Sequence, residues 1–358
     1  MPIIDKYIIK KYLSTFVFTM AIFGIIIPVF DVSERLDDFL KHNAPLDKII
    51  FEYYVGFIPF YLNMLSPLIN FIAVIFFTSR MADKTEIVPI LSGGMSFTRM
   101  LRPFMIGASI IFVVSLIFNL FIVPNTNKLL NNFTDVYIKP RFDKSKNMVH
   151  MKLNDSTYVF VRTFDNVSQI GYNFSLEKFI ENELHEKLMA DRIVWDTLQS
   201  KWRIENYTIR TINGLNEEMT KGVQIDTLLD MRPSDFDIYD DVYGSMSTRE
   251  LYEKIEKEEV RGTGIMTNLL IEKYKRFVTP FSAFILTLMG VALSSRKVRG
   301  GLGLSLGVGI GLSFVYLVLN QFSTIFSLQG GLPPLIAVLI PNVLYAIIAL
   351  VLIKKAPK

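Results

Sequence analysis

Residues 300–353 read GGLGLSLGVGIGLSFVYLVLNQFSTIFSLQGGLPPLIAVLIPNVLYAIIALVLI, a run of 54 positions without one Asp, Glu, Lys or Arg. As one helix it would be about 81 Å long at ~1.5 Å per residue, whereas a bilayer core of about 30 Å needs roughly 20 residues. It divides at Gln329-Gly330-Gly331-Leu332-Pro333-Pro334, a cluster of turn formers, and so supplies two spans. Outward from it, residues 277–295, 103–127, 53–79 and 12–30 are also free of charge, and each is long enough for one span. The expected fold is an α-helical polytopic membrane protein with six transmembrane helices, three before and three after a central block.

The charges set the expected orientation. With six spans both termini share a side. The flanks on that side (1–11, 80–102, 296–299 and 354–358) hold 13 Lys and Arg against three acids. The opposite short loop, 31–52, has three cations against six acids. Positive charge is retained in the cytoplasm, so both termini and the loop 80–102 are expected there. The first span lacks a small-residue cleavage site and reads as a retained helix. The formal charge of +4 is therefore an orientation signal, and a nucleic-acid partner is not expected.

Residues 128–276 differ in character, with 22 cations and 25 acids among 149 residues. Tyr158-Val159-Phe160-Val161 is β-branched and aromatic, and Trp202-Arg203-Ile204-Glu205 alternates apolar with charged. Asn213-Gly214 signals a hairpin, and Asp196 to Lys201 reads as the polar turn between two strands. An extracytoplasmic antiparallel β-sandwich or jelly roll is expected over 150–240. Ser247-Thr248-Arg249-Glu250 is a capping box that opens a helix through about Val260. The division is thus 1–127 with the cytoplasmic loop 80–102, 128–262 with the β domain and connecting helix, and 263–358.

Chemistry-bearing motifs are sparse. The chain has no cysteine, no Gly-Lys-Ser or Gly-Lys-Thr, and no Gly-x-Ser-x-Gly. Thiol chemistry, Cys-ligated zinc and a P-loop are excluded. His42, His150 and His185 are scattered without metal-ligand spacing. No ionisable residue interrupts a span, which argues against proton-coupled transport and an intramembrane aspartate protease. Gly303, Gly307 and Gly311 form a small-residue ladder in span five, suited either to packing within the chain or to a seam with a second subunit. In loop 80–102, Ile87, Ile90 and Leu91 share one face of a short helix. That face suits either the lipid surface or a cytoplasmic partner.

Four motifs together resemble the LptF/LptG (YjgP/YjgQ) family, the permeases of the lipopolysaccharide export ATPase. They are Asp5-Lys6-Tyr7-Ile8 leading into span one, and Thr85-Glu86-Ile87 through Ser92-Gly93-Gly94-Met95-Ser96 with Arg99 to Pro103 after it. The others are Lys201-Trp202-Arg203-Ile204, and Gly331-Leu332-Pro333-Pro334 followed by Pro341. The resemblance covers essentially the whole chain and leans to the LptG side through its Gly-Leu-Pro-Pro end.

The resemblance implies a bacterial inner-membrane subunit with a periplasmic β-jellyroll-like domain. Its partners would be a second LptF/LptG-type permease, a dimeric cytoplasmic LptB-like ATPase, and an LptC- or LptA-like periplasmic bridge. Its cargo would be lipopolysaccharide. ATP and Mg would be used by the ATPase, with no cofactor on this chain and no catalytic residue. Spans one and five would line a lateral gate, here with Phe16 and Phe23 facing Gly303, Gly307, Gly311 and Phe314. Lys84, Glu86, Ile87, Leu91 and Gly93 would couple to the ATPase, Glu86 touching it with Ile87 and Leu91 in its groove. Family members often carry a cation just outside span one. Here Asp31 stands there, with Arg35 and Lys41 next as possible lipid-headgroup contacts. Two further readings share parts of this topology: a non-transport envelope scaffold or sensor, and the permease of another ATP-driven lipid or lipoprotein exporter.

Overall fold

In a computed structural model, residues 2–138, 146–165, 168–181, 183–214, 216–236, 240–295 and 301–355 are described. The chain divides into two compact units, one of residues 1–130 with 270–358 and the other of residues 131–269. The basic residues Arg296, Lys297, Arg299 and Lys358 of the orientation argument lie outside the described residues.

The first unit is a helical bundle. Its helices are α1 (Ile3–Lys41), α2 (Leu46–Met64), α3 (Ser66–Asp83), the short α4 (Ile87–Ser92) and α5 (Phe97–Tyr137, which runs on into the second unit). After the inserted unit come α7 (Met266–Ser294), α8 (Gly301–Leu328) and α9 (Pro334–Lys354). Among the described residues five helices are long and apolar enough to cross a membrane, or six when the bent pair α2 and α3 counts as one span. The pair is bent by 58° at Leu65. Pro67, in the first turn of α3, cannot donate to the ladder of the preceding helix, so the break falls where the sequence suggested one unbroken span. Helix α1 has 39 residues, about 58 Å at ~1.5 Å per residue, and outruns its charge-free segment at both ends.

Helix α3 carries the core. Ile69, Ala73, Val74 and Phe77 face a cluster with Ile8, Tyr12 and Phe16 of α1 and Phe97, Met100 and Phe104 of α5. Phe71 and Ile75 face a second cluster with Leu286 and Met289 of α7, Tyr316 of α8 and Tyr345 of α9. Between the two lies a buried polar knot. The Tyr12 hydroxyl donates to Asn70 Oδ1 at 2.6 Å and lies 2.9 Å from Thr287 Oγ1, while Asn70 Nδ2 donates to the Ala283 carbonyl at 3.2 Å. Each polar atom finds a partner on another helix, which is how uncharged polar groups hold spans together in hydrocarbon.

The second unit is a six-stranded antiparallel sheet: β1 (Lys146–Asn154), β2 (Thr157–Asp165), β3 (Ile170–Ile180), β4 (Glu183–Asp196), β5 (Lys201–Asn213) and β6 (Asn216–Thr227). The antiparallel β domain is as expected. The order is sequential from β1 to β6, so the described strands form a meander and contain no Greek-key crossover of the kind that links the strands of a sandwich. Alternation holds, with Val159 and Val161 of β2 and Trp202 and Ile204 of β5 buried. The expected turn after Asp196 is held by its carboxylate, which accepts from the backbone N–H groups of Leu198 and Gln199. At the Asn213-Gly214 hairpin, Gly214 takes φ +64°.

Helix α6 (Thr248–Arg261) starts at the expected capping box, Ser247 Oγ accepting from the Glu250 N–H and the Glu250 carboxylate from the Ser247 N–H. It is fastened by Asp235, which accepts from Arg261 Nη1 at 2.6 Å, Lys254 Nζ at 3.3 Å and the Arg232 N–H at 2.8 Å. Burial acts to raise the Asp235 carboxyl, but these donors and charges outweigh it and hold the pKa below its usual value. A depressed carboxylate contributes stability above its unfolded pKa of about 3.9, and that contribution is lost as pH falls through the folded value. Amides of α6 should therefore lose hydrogen-exchange protection as pH is lowered from about 5 towards 3, with a flatter profile in Asp235→Asn. Identical profiles would remove Asp235 as the cause.

Candidate functional site

Three places in the bundle bring sequence-predicted residues together, and the first is the segment from Lys84 to Arg99 between α3 and α5. Lys84 is exposed at the end of α3. Glu86 is half-buried at the start of α4, where its Oε2 accepts from the Tyr7 hydroxyl of α1 at 3.1 Å. Arg99 reaches back to Asp5, with Nη1 to Oδ1 at 3.0 Å and Nη2 to Oδ2 at 2.7 Å. Gly93 ends α4, donating to the Pro89 carbonyl at 2.9 Å, and a Cβ there would lie 3.0 Å from that oxygen. Gly94 follows at φ +88°, a backbone conformation that favours glycine.

The apolar face of α4 points elsewhere than the sequence suggested. Ile87, expected in a partner's groove, is 2% exposed and sits in the α1–α3–α5 cluster, with Ile90 and Leu91 packed against it. Their helical spacing provides one apolar stripe, and the bundle's own core covers that stripe before a partner can. The outer surface of α4 is Val88, 65% exposed, with Pro89 and Ser92. Of the expected coupling set, Lys84, Glu86 and Gly93 remain accessible.

The second place is the flank of α1 and α8. Only 6% of the apolar window of α1 and 17% of that of α8 is buried, against 56% for α7. Val17, Phe18, Ile25, Val29 and Phe30 stand out from α1, and Phe314 and Phe322 from α8. A Cβ on Gly303, Gly307 or Gly311 would meet no atom within 4 Å, so the ladder is not packed against another helix among the described residues. Gly309 does, since a Cβ there would collide with Ile75. Phe16 belongs to the bundle core and so does not line the open face, while Phe23, half-buried, packs against that core's edge. A residue every third or fourth position points inward on any helix, and Phe16 shares that inward register with Tyr12.

The third place is the far end of α1. Asp31 is 6% exposed, accepting from Tyr53 Oη at 3.0 Å, Tyr54 Oη at 3.2 Å and Arg35 Nε at 3.0 Å. Tyr53 and Tyr54 lie in a π-helical turn of α2, Ile49–Tyr54, so the carboxylate fastens α1 to α2. Arg35 is thereby partly committed to Asp31, and Lys41 is exposed in the last turn of α1. This pair was not expected from the sequence, although a spacing of four residues is one at which helical side chains meet; no sequence signal points to the two tyrosines.

No metal-binding group of three or more His, Asp or Glu occurs among the described residues. The family model described as the lipopolysaccharide export system permease LptF/LptG matches residues 6–355. No curated protein matches the chain.

Proposed function

Since the chain belongs to the LptF/LptG family of lipopolysaccharide export permeases, we propose that it is the membrane subunit of an ATP-driven exporter, working beside a second permease of its kind. The observation that carries this reading is the pair α1 and α8, whose outer apolar faces and glycine ladder meet no partner among the described residues. Lipid tails suit such walls. Sugars passing between them need polar surroundings, because an unpaired polar group in a dry site costs about 2–7 kcal/mol.

In this reading α1 and α8 form halves of two lateral gates, each completed by the other permease. The termini and the 84–99 segment face the cytoplasm. The β unit lies in the periplasm, where it hands lipopolysaccharide to a jellyroll bridge protein. A dimeric cytoplasmic ATPase, using ATP and Mg, presses on the surface of Lys84, Glu86, Val88 and Gly93. The buried Ile87, with the half-buried Leu91 packed against its cluster, serves as the root through which that pressure reaches the bundle. Arg35 and Lys41 meet the lipid headgroup, with Asp31 fixing where Arg35 points.

The test is Glu86→Lys. Reversing one member of an interfacial charge pair costs at least about 2 kcal/mol, so co-purification of the ATPase should fall by about tenfold or more while the protein stays inserted. Unchanged co-purification would remove Glu86 from the contact. Photocrosslinkers at 156–162 or 202–210 address the cargo. ATP-dependent lipopolysaccharide adducts support export, and adducts to protein alone support an envelope scaffold instead.

A further inference from the structure

Two side-chain contacts join the first two turns of α1 to the segment that holds α4. Tyr7 donates to Glu86, just before α4, and Asp5 pairs with Arg99, in the first turn of α5, so the contacts bracket α4. Between them Ile8 and Tyr12 of α1, Ile87 of α4, and Phe97 and Met100 of α5 share one buried cluster. A displacement of α4 therefore acts directly on the foot of α1.

The two contacts differ in strength. Asp5 is 5% exposed and takes a bidentate guanidinium, with both carboxylate oxygens engaged. Tyr7 is 41% exposed and offers one neutral hydroxyl to one oxygen of Glu86. The phenol already bonds a carboxylate, but a cationic side chain brought to Glu86 adds direct charge–charge attraction and further donors to such a bond, and so competes with the single phenol hydroxyl for the carboxylate.

We propose that Tyr7–Glu86 and Asp5–Arg99 form a two-point tether between α4 and α1, with Asp5–Arg99 its fixed point and Tyr7–Glu86 its releasable one. It rests on the reading of Glu86 as the ATPase contact. Engagement of the ATPase draws Glu86 away from Tyr7, and the freed foot of α1 pivots about Asp5. Tyr7 and Asp5 are thus positioning residues that set when α1 can move.

Tyr7→Phe tests this in the intact complex, reconstituted with its ATPase into vesicles containing lipopolysaccharide. The variant should keep ATPase co-purification and ATP hydrolysis close to wild type while lipid released per ATP falls several-fold, because α1 is released without engagement. The chain has no cysteine, so spin labels at Lys6→Cys and Thr85→Cys report the foot of α1 directly. Their nucleotide-free separation should lengthen in Tyr7→Phe towards the ATP-bound wild-type value. An unaltered lipid-per-ATP ratio with an unaltered separation overturns the tether. Asp5→Arg combined with Arg99→Asp should recover more than half of the coupling that either single variant loses, and no recovery overturns the fixed point. A wild-type complex that releases no lipid on ATP overturns the export reading instead, and the label separation in Tyr7→Phe still decides the tether.

Discussion

Trp202→Ala should strip hydrogen-exchange protection from β2 to β5 of the inserted unit while the helices of the bundle keep theirs. Trp202 is fully buried, and its indole N–H donates to the Met231 carbonyl at 2.9 Å. Trp195, its cross-strand partner, meets it edge-on at 5.0 Å, with Phe164 and Phe236 each at 6.2 Å. Phe164 and Phe236 in turn stack on each other at 4.2 Å. Removing the indole leaves a cavity at the centre of this group, at a cost of about 3–5 kcal/mol. It also orphans the Met231 carbonyl, and Met231 is itself buried, which adds about 1–3 kcal/mol if no water reaches it. Single domains are stable by about 5–15 kcal/mol, so the loss is a large part of the total. Trp202→Phe separates the two effects, since it keeps most of the volume and loses only the N–H. Protection equal to wild type in Trp202→Ala would mean that the sheet is held by something other than this aromatic group.

Gly107→Val should destabilise the bundle as strongly by the opposite means, overpacking. A Cβ at Gly107 of α5 would lie 2.5 Å from Tyr12 Cδ1, and the Tyr12 ring is fully buried. The ring cannot swing aside without taking its hydroxyl out of the knot with Asn70 and Thr287. Overpacking costs about 1–3 kcal/mol, and the lost interhelical hydrogen bonds add about 0.6–2 kcal/mol. The expected outcome is a clear drop in the thermal midpoint of the detergent-purified protein. Tyr12→Ala should be destabilising by itself, yet the double variant should be less so than the two costs added, because the clash partner is gone. Strict additivity would show that Gly107 and Tyr12 do not contend for the same space.

Both sites illustrate what a one-dimensional pattern can carry. The alternation around Trp202 told which strand residues are buried, because the side-chain period of a strand is two and needs no partner to be read. The turn at Asp196, the hairpin at Gly214 and the capping box at Ser247 were legible for the same reason, each being closed by atoms within a few residues. Gly107 gave no such sign. Its role is fixed by Tyr12, nearly a hundred positions earlier in the chain, and glycine in an apolar span has many uses.

The functional residues divide along the same line. Among the candidate coupling and gate residues that the family resemblance implied, Glu86, Lys84 and Gly93 are accessible, whereas Ile87 and Phe16 lie in the core. A helical stripe reveals that a face is apolar and leaves open whether lipid, a partner or the chain's own bundle covers it. Tyr7 and Asp5 were seen only as part of a motif leading into the first span. Their bonds to Glu86 and Arg99 cross 79 and 94 positions and could not be inferred from spacing.

By itself, then, the sequence determined that this chain spans a membrane several times around an inserted antiparallel β unit. Runs without charge and strands of period two obey the solvent on either side, and solvent acts on each segment separately. Tertiary structure alone decided the bend at Leu65, the meander order, the buried carboxylate of Asp31, the packing of Ile87 and the open faces of α1 and α8. Each of these depends on which distant segment arrives as a neighbour, and close packing, unlike hydrophobicity, is a property of pairs.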